Sequence, residues 1–411
     1  MNKKISLGAG ISLMLIIVAV SISITAMVMS RKFSANVNDL ERRAAMYDKL
    51  EAVDSKIRQE YYGDIDPNIL MDKIAQGYIS GIGDPYATYY TAEEYNNLMN
   101  QTGGKVAGIG ISAEMEPSGY MRVLDVYPDS PAESSGIAKN NLIVRVDDLE
   151  VNADTYAQAL EAIKGKAGTK MTLVVRDEDN TEEKTIDITR RVVVTPTVYT
   201  DVFDKTGYIR ITGFNATTYD QFRKAVKKMT ADGIGALVFD VRNNTGGTDE
   251  AIIKILDYLL PEGDIMSATY KNGETKVLAV SDADCVELPM AVIVNEKTAS
   301  AAELFAQALK DYNKAKIVGT KTFGKGSMQK TFQLQDGAAI TYTIAKYNPP
   351  KSGNFEGIGV KPDYEVNLTE EQKAMFNSLD ETNDPQLQKA LEYVNTEMSK
   401  LSNVEAEQAP K

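Results

Sequence analysis

From about Thr195 onward the chain alternates apolar runs of strand type with amphipathic stretches of helical period, which restricts it to an α/β unit with at least partly parallel strands. Gly207-Tyr208-Ile209-Arg210-Ile211, Ala236 to Val241 and Met290 to Val294 read as strands; Tyr219 to Met229, Glu250 to Leu260 and Ser300 to Asp311 read as helices. In such a unit, reactive groups gather at the carboxyl ends of the strands. Two segments fall there: Asp240-Val241-Arg242-Asn243-Asn244-Thr245-Gly246-Gly247, and Thr298-Ala299-Ser300-Ala301-Ala302-Glu303.

The chemistry open to these segments is narrow. Among 411 residues there is no histidine and one cysteine, Cys285. Ser-His-Asp and Cys-His catalysis are excluded, as are zinc sites built on His or a thiolate cluster. What remains is carboxylate chemistry or a nucleophile activated by an amine. The formal net charge of −13 argues against nucleic acid as a partner.

The Gly246-Gly247 pair leaves backbone N–H groups exposed at a helix start, where a negative oxygen is stabilised. A tight turn capped by Asn and Asp is the competing reading. Ser300-x-x-Glu303 fits a helix-capping box, which would occupy the hydroxyl structurally. Against this, the flanking alanines leave the hydroxyl open, and the N–H of Ala301 could hold an oxyanion. A lysine serving such a serine must be neutral near pH 7, so burial must lower its pKa from about 10.4 by several units. Lys325, with Phe323 beside it and Met328 and Phe332 nearby, is the candidate.

Residues 328 to 334 alternate in the manner of a strand, and an extended conformation beginning at Lys325 would place its side chain on the face of Gln329. Strand geometry also disposes of Ser327-Met328-Gln329-Lys330. This spells S-x-x-K, but its serine and lysine meet only on a helix.

Ahead of this unit, Ile5 to Ser30 is a run of 26 uncharged residues. That exceeds the roughly 20 needed to cross a bilayer, so a retained single-pass anchor is expected in preference to a cleaved signal. Lys3 and Lys4 favour an N-inside orientation with the acidic bulk outside the cytoplasm. Residues 36 to 100 read as helices, broken at Asp84-Pro85. From Gly103 short β-type runs appear, with an amphipathic helix over Thr155 to Ile163 ended by Lys164-Gly165. These residues resemble a PDZ domain. Gly108-Ile109-Gly110-Ile111 matches its carboxylate-binding loop, Asp129-Ser130-Pro131-Ala132 with Gly136-Ile137 its turn and short helix, and Ile143 to Asp147 the following strand. The glycines let successive N–H groups converge on a terminal carboxylate while a sheet edge accepts the peptide.

Residues 33 to 400 resemble the carboxyl-terminal processing peptidases, or tail-specific proteases. The matches are Asp84-Pro85-Tyr86, the Asp240 to Gly247 segment, the Thr298 to Glu303 segment, and Gly319-Thr320-Lys321-Thr322-Phe323-Gly324-Lys325-Gly326-Ser327-Met328-Gln329. The resemblance implies Ser300 as nucleophile, Lys325 as general base, and Gln329 as the residue orienting Lys325. It implies N–H groups of Ala301 and Gly246 as oxyanion hole, Gly247 being the alternative to Gly246. It further implies an α/β peptidase core of ClpP/crotonase-like type and no cofactor or metal. The PDZ domain would recognise unstructured C-terminal tails, and N- and C-terminal helical arms could dimerise. Thr245 stands where the family commonly has Pro, and Ala302 where many members have Ser; neither removes a group the mechanism needs.

The expected organisation is a tail and transmembrane anchor at 1–32, a helical region at 33–102, the PDZ domain at 103–190, the peptidase core at 191–365, and a helical arm with a loose tail at 366–411. The expected activity is that of a membrane-anchored serine endopeptidase acting on flexible proteins with accessible C-termini. A catalytically silent PDZ scaffold is the alternative.

Overall fold

The computed structural model describes residues 7–177 and 182–408. The chain divides into two compact units, Met1–Lys73 and Ile74–Lys411. The first is dominated by one helix of 54 residues, Leu7–Glu60, in which the expected anchor and the polar helical stretch after it run on without a break. Beyond Gly10 that stretch holds neither glycine nor proline to interrupt it. The expected transmembrane run begins at residues outside the described ones, as do many of its side chains. Among the described residues no helix is long and apolar enough to cross a membrane. Those of its side chains that are described, such as Ile17, Ile22, Ile24 and Met27, are exposed.

In the second unit, the PDZ resemblance takes the form of a six-stranded antiparallel sheet. Its path is Ile111–Met115, Met121–Val126, Leu142–Val146, Lys170–Arg176 and Glu183–Thr189, with the short Leu149–Glu150 beside Leu142–Val146. The helix Tyr156–Ile163 closes it, burying Ala159 and Ile163 against Ile109, Val123, Ile143 and Leu173. Ile109-Gly110 is a turn rather than the strand its apolar pattern suggests. The strand before it, Lys105–Gly108, leaves the PDZ sheet and pairs with Arg191–Val194, so the chain enters and leaves the domain side by side.

The α/β unit is a six-stranded sheet in the order Val198–Phe203, Thr206–Ile211, Ala236–Asp240, Met290–Val294, Ala315–Gly319 and Tyr364–Glu365. Only the first pair is antiparallel. Alternate side chains of Ala236–Asp240 serve opposite faces, as the period of two requires. Leu237 and Phe239 join the core made with the helices Thr218–Ala231, Asp249–Leu259 and Ala301–Asp311. Ala236 and Val238 pack with Leu387, Ala390 and Val394 of the C-terminal helix Pro385–Gln408. That helix continues to Gln408, so the polar end from Asn403 expected as a loose tail is helical through that residue.

A second, antiparallel sheet packs beside it, centred on the long strand Ala339–Asn348. One edge of that strand pairs with Ser327–Gln333; the other pairs with Thr88–Tyr90 and then Gly263–Tyr270. Through this pairing the Asp84-Pro85-Tyr86 segment, which precedes the PDZ domain in sequence, reaches the peptidase core.

Candidate active site

Because Ala236–Asp240 and Met290–Val294 are parallel neighbours, with Asp240 level with Ile293, the two motif loops leave the sheet side by side. They are joined closely. Val241 N–H donates to the Ile293 carbonyl (3.0 Å), Asn243 N–H to Asn295 Oδ1 (2.9 Å), Asn295 Nδ2 to Asn243 Oδ1 (2.8 Å), Thr298 Oγ1 to the Val241 carbonyl (2.9 Å), and Ala299 N–H to the Asn244 carbonyl (2.9 Å). Behind them, Arg242 is buried between Asp240 and Asp384 and donates to Gln386, tying the first loop to the C-terminal segment. Burial works against both charges of the Arg242–Asp240 pair, yet the pairing holds the carboxyl low and the guanidinium protonated.

Ser300 caps the helix Ala301–Asp311 with φ 58° and ψ −123°. A non-glycine residue there is strained and persists only where its surroundings over-determine it. Glu303 supplies much of that determination. Its buried carboxylate accepts from Ser300 N–H (2.8 Å) and Lys325 N–H (2.8 Å) on Oε2, and from Gly324 N–H (2.6 Å) and the Thr322 hydroxyl (2.5 Å) on Oε1. Burial raises its pKa, with these donors opposing.

The capping reading of Ser300-x-x-Glu303 therefore holds only for the glutamate arm. The Glu303 N–H meets the Ser300 carbonyl at 2.9 Å, and the hydroxyl faces the Tyr347 phenol instead. Tyr347 itself donates its single proton to the Lys325 carbonyl (2.7 Å). Sequence reading missed both roles. Glu303 was visible as a cap; Tyr347 gave no signal, lying in an unremarkable strand.

The oxyanion assignment changes. Gly246 N–H donates to the buried Asn244 Oδ1 at 2.8 Å and is occupied. Gly247 forms a parallel bridge with Phe214, in which Phe214 N–H meets the Gly246 carbonyl (3.0 Å) and Thr248 N–H meets the Phe214 carbonyl (2.7 Å). That ladder turns the Gly247 N–H away from Phe214, and among the described residues it has no acceptor. The Ala301 N–H, in the first helical turn, has none either. Gly246 packs against Ser300: a Cβ there would lie 2.9 Å from Ser300 Cβ and 3.0 Å from Ala301 N. At Gly247 a Cβ would lie 1.9 Å from the Phe214 oxygen.

Lys325 precedes its strand, which begins at Ser327 and is bulged between Met328 and Gln329, so simple alternation does not connect the two. The Gln329 amide donates to Ser327 Oγ (3.0 Å) and Thr343 Oγ1 (3.2 Å) rather than to the amine. Phe323 and Phe332, expected to bury Lys325, are 59% and 54% exposed. The ring over the amine belongs to Tyr86, with Nζ 4.8 Å from its centroid. Burial lowers the Lys325 pKa, against the raising influence of the Glu356 and Asp84 carboxylates. No hydrogen bond joins the Ser300 hydroxyl to the Lys325 amine. Lys330 is exposed on the strand and Ser327 buried, in keeping with rejection of that pair.

In the PDZ loop, the Ile109 carbonyl accepts from Ala132 N–H (2.9 Å) and the Gly110 carbonyl from Tyr127 N–H (2.9 Å). Among the described residues nothing accepts from the N–H groups of Ile109 or Gly110. Ile111–Met115 is an edge strand, and the Tyr156 hydroxyl donates to its Ala113 carbonyl at 3.3 Å.

Comparison with known proteins agrees with this arrangement. The sequence pattern of peptidase family S41 matches residues 205–366, and that of a PDZ domain matches 122–177. A Staphylococcus aureus protein named "Probable CtpA-like serine protease" is 32% identical over 326 residues, covering 78% of this chain and 65% of that one. Its Staphylococcus epidermidis counterpart is 31% identical over 330 residues, covering 79% and 66%. The chain thus spans slightly less than two thirds of the length of these relatives. A solved structure assigned to the S41 proteases, from Bacteroides fragilis, superposes with a TM-score of 0.55 at 17% identity over 86% of this chain and 97% of that one, which concerns the fold alone. Residues 122–177 thus carry a PDZ domain and residues 205–366 a peptidase family S41 domain, in a chain similar to the CtpA-like serine proteases.

Proposed function

We propose that this chain is a serine endopeptidase in which Ser300 and Lys325 form the catalytic dyad. The observation that carries this reading is the single Glu303 oxygen that holds the backbone N–H of both residues at 2.8 Å. It brings the serine and the lysine into one site across 24 intervening residues. Neutral Lys325 takes the Ser300 proton as Oγ attacks the peptide carbonyl, and the N–H groups of Ala301 and Gly247 receive the negative oxygen. The lysine then gives that proton to the leaving amine, and water, deprotonated in turn by Lys325, hydrolyses the acyl-serine.

At rest the Ser300 hydroxyl is not bonded to the Lys325 amine, so turnover requires the two to come within hydrogen-bond reach. Gln329 orients the lysine from the neighbouring strand once they do. Substrates are flexible proteins whose C-terminal carboxylate enters the Gly108-Ile109-Gly110-Ile111 loop and whose backbone extends the Ile111–Met115 edge. Membrane attachment through the apolar run of the first helix, an extracytoplasmic peptidase and pairing of two copies through the helical arms complete the reading.

Incubation of the full chain in detergent with an unfolded protein, beside Ser300→Ala and Lys325→Ala, tests the dyad. Cleavage by the wild type alone is expected, and cleavage surviving both substitutions refutes it. A substrate with an amidated C-terminus should be cut more slowly; equal rates would remove the PDZ loop from recognition.

A further inference from the structure

Among the described residues the Lys325 amine has no hydrogen bond, yet it is not loosely placed. Three side chains from two distant segments surround it. Asp84 and Tyr86 come from the stretch before the PDZ domain, and Glu356 from the loop after the long strand Ala339–Asn348. The Tyr86 ring covers the amine at 4.8 Å, and its hydroxyl donates to Glu356 Oε1 at 3.3 Å. Glu356 Oε2 accepts from Gly326 N–H at 2.8 Å, next to the lysine in sequence. Asp84 is fixed twice: Oδ1 accepts from Tyr86 N–H (3.0 Å) and Oδ2 from Thr343 N–H (2.8 Å). Thr343 also receives the Gln329 amide, which links Gln329 to Asp84.

We propose that Asp84, Tyr86 and Glu356 are positioning residues that form a cradle for the protonated Lys325 amine. The inference rests on Lys325 being the base. Two carboxylates and an aromatic face all favour the charged amine, whereas burial favours the neutral one. A base that cycles between these forms needs both influences: burial so that it starts neutral, and the cradle so that the charge it gains on taking the Ser300 proton is stabilised. The remaining ionisable or polar groups near the lysine act elsewhere. Glu303 is occupied by the four donors already described, including the lysine's own N–H, and Tyr347 donates to its carbonyl. The segment carrying Asp84 and Tyr86 thus completes the site from outside the peptidase domain, which explains why Asp84-Pro85-Tyr86 stands as a motif so far from the chemistry in sequence.

The test reads the amine directly, without turnover. In the full-length Ser300→Ala chain, trace acetic anhydride labelling followed by peptide mass spectrometry gives the reactivity of Lys325 against pH. Asp84→Asn and Glu356→Gln should each move the midpoint down by about one unit, and Tyr86→Phe, which keeps the ring, should move it less. Glu356→Gln keeps an oxygen for the Gly326 N–H and turns its N–H₂ to the Tyr86 hydroxyl, which can accept, so it preserves the loop. Loss of the fold would send the midpoint up toward about 10.4, the opposite direction. Unchanged or raised midpoints in folded Asp84→Asn and Glu356→Gln overturn the cradle. Parallel cleavage assays in the Ser300 background separate the two ideas. A shifted midpoint with cleavage indifferent to Lys325→Ala refutes the dyad and leaves the cradle standing; a fixed midpoint with cleavage dependent on Lys325 does the reverse.

Discussion

The two halves of the site are built in opposite ways. Around Ser300, the loops after two parallel strands are bonded to each other, Asn244 and Glu303 are buried with their polar atoms occupied, and the serine is locked at a positive φ. Around Lys325, the backbone N–H is held by Glu303 while the amine has no hydrogen bond among the described residues and lies half-buried against the Tyr86 ring, near two carboxylates that other segments supply. On the proposed roles, the nucleophile and oxyanion half is preorganised, as electrostatic stabilisation of a transition state demands. The base half, with no hydrogen bond on its amine among the described residues, is then the adjustable one.

Breaking either half at its reacting atom should have the largest effect. Ser300→Ala or Lys325→Ala should lower kcat/KM on an unfolded protein by about 10³-fold or more. The rigid half should next prove sensitive in stability as well as rate. Glu303→Gln turns an amide N–H₂ toward donors and should cost about 2–3 kcal/mol in urea unfolding, with cleavage reduced at least about tenfold; an unchanged midpoint would show that the clamp is dispensable. Gly247→Ala forces a methyl into the Phe214 carbonyl and displaces the oxyanion donor, for a loss of about 10²-fold, mostly in kcat. A comparable KM effect with kcat intact would move the oxyanion hole elsewhere.

The adjustable half should declare itself in pH. Because burial lowers the Lys325 pKa, the active neutral fraction grows as pH rises through that lowered value, and cleavage should fall on the acid side of it. The sign for stability follows. Between the lowered pKa and about 10.4 the unfolded chain binds the extra proton, so the fold is penalised below that window and the penalty lifts as pH rises through it. Lys325→Met should flatten this part of the stability profile. The smallest effect is expected from Gln329→Ala. Its amide is on Ser327 and Thr343 in the resting site, so stability should change by less than about 1 kcal/mol, with the loss confined to kcat.

The order of strands and helices in the α/β unit was legible because each buried strand and each helix carries its own periodicity, and the glycine pair and Ser300 stood at predictable strand ends. Exclusion narrowed the chemistry, since a chain without histidine leaves a serine few partners. Donor assignment was not. Whether Gly246 or Gly247 offers its N–H depends on Asn244 and Phe214, which compete for the surrounding bonds from other strands. Burial of Lys325 was read from Phe323 and Phe332 because they are its neighbours in sequence, yet both face solvent and the covering ring comes from Tyr86.

Local pattern and composition by themselves determined the secondary structure around the site, the PDZ-like and α/β units, and the exclusion of every histidine-based mechanism. Only the tertiary structure decided which N–H groups are free, that one Glu303 oxygen gathers both reactive segments, and that Asp84, Tyr86 and Glu356 surround the amine. Periodicity records how a residue meets its own helix or strand, whereas hydrogen-bond competition and desolvation are settled between residues that are far apart in the chain and adjacent in space.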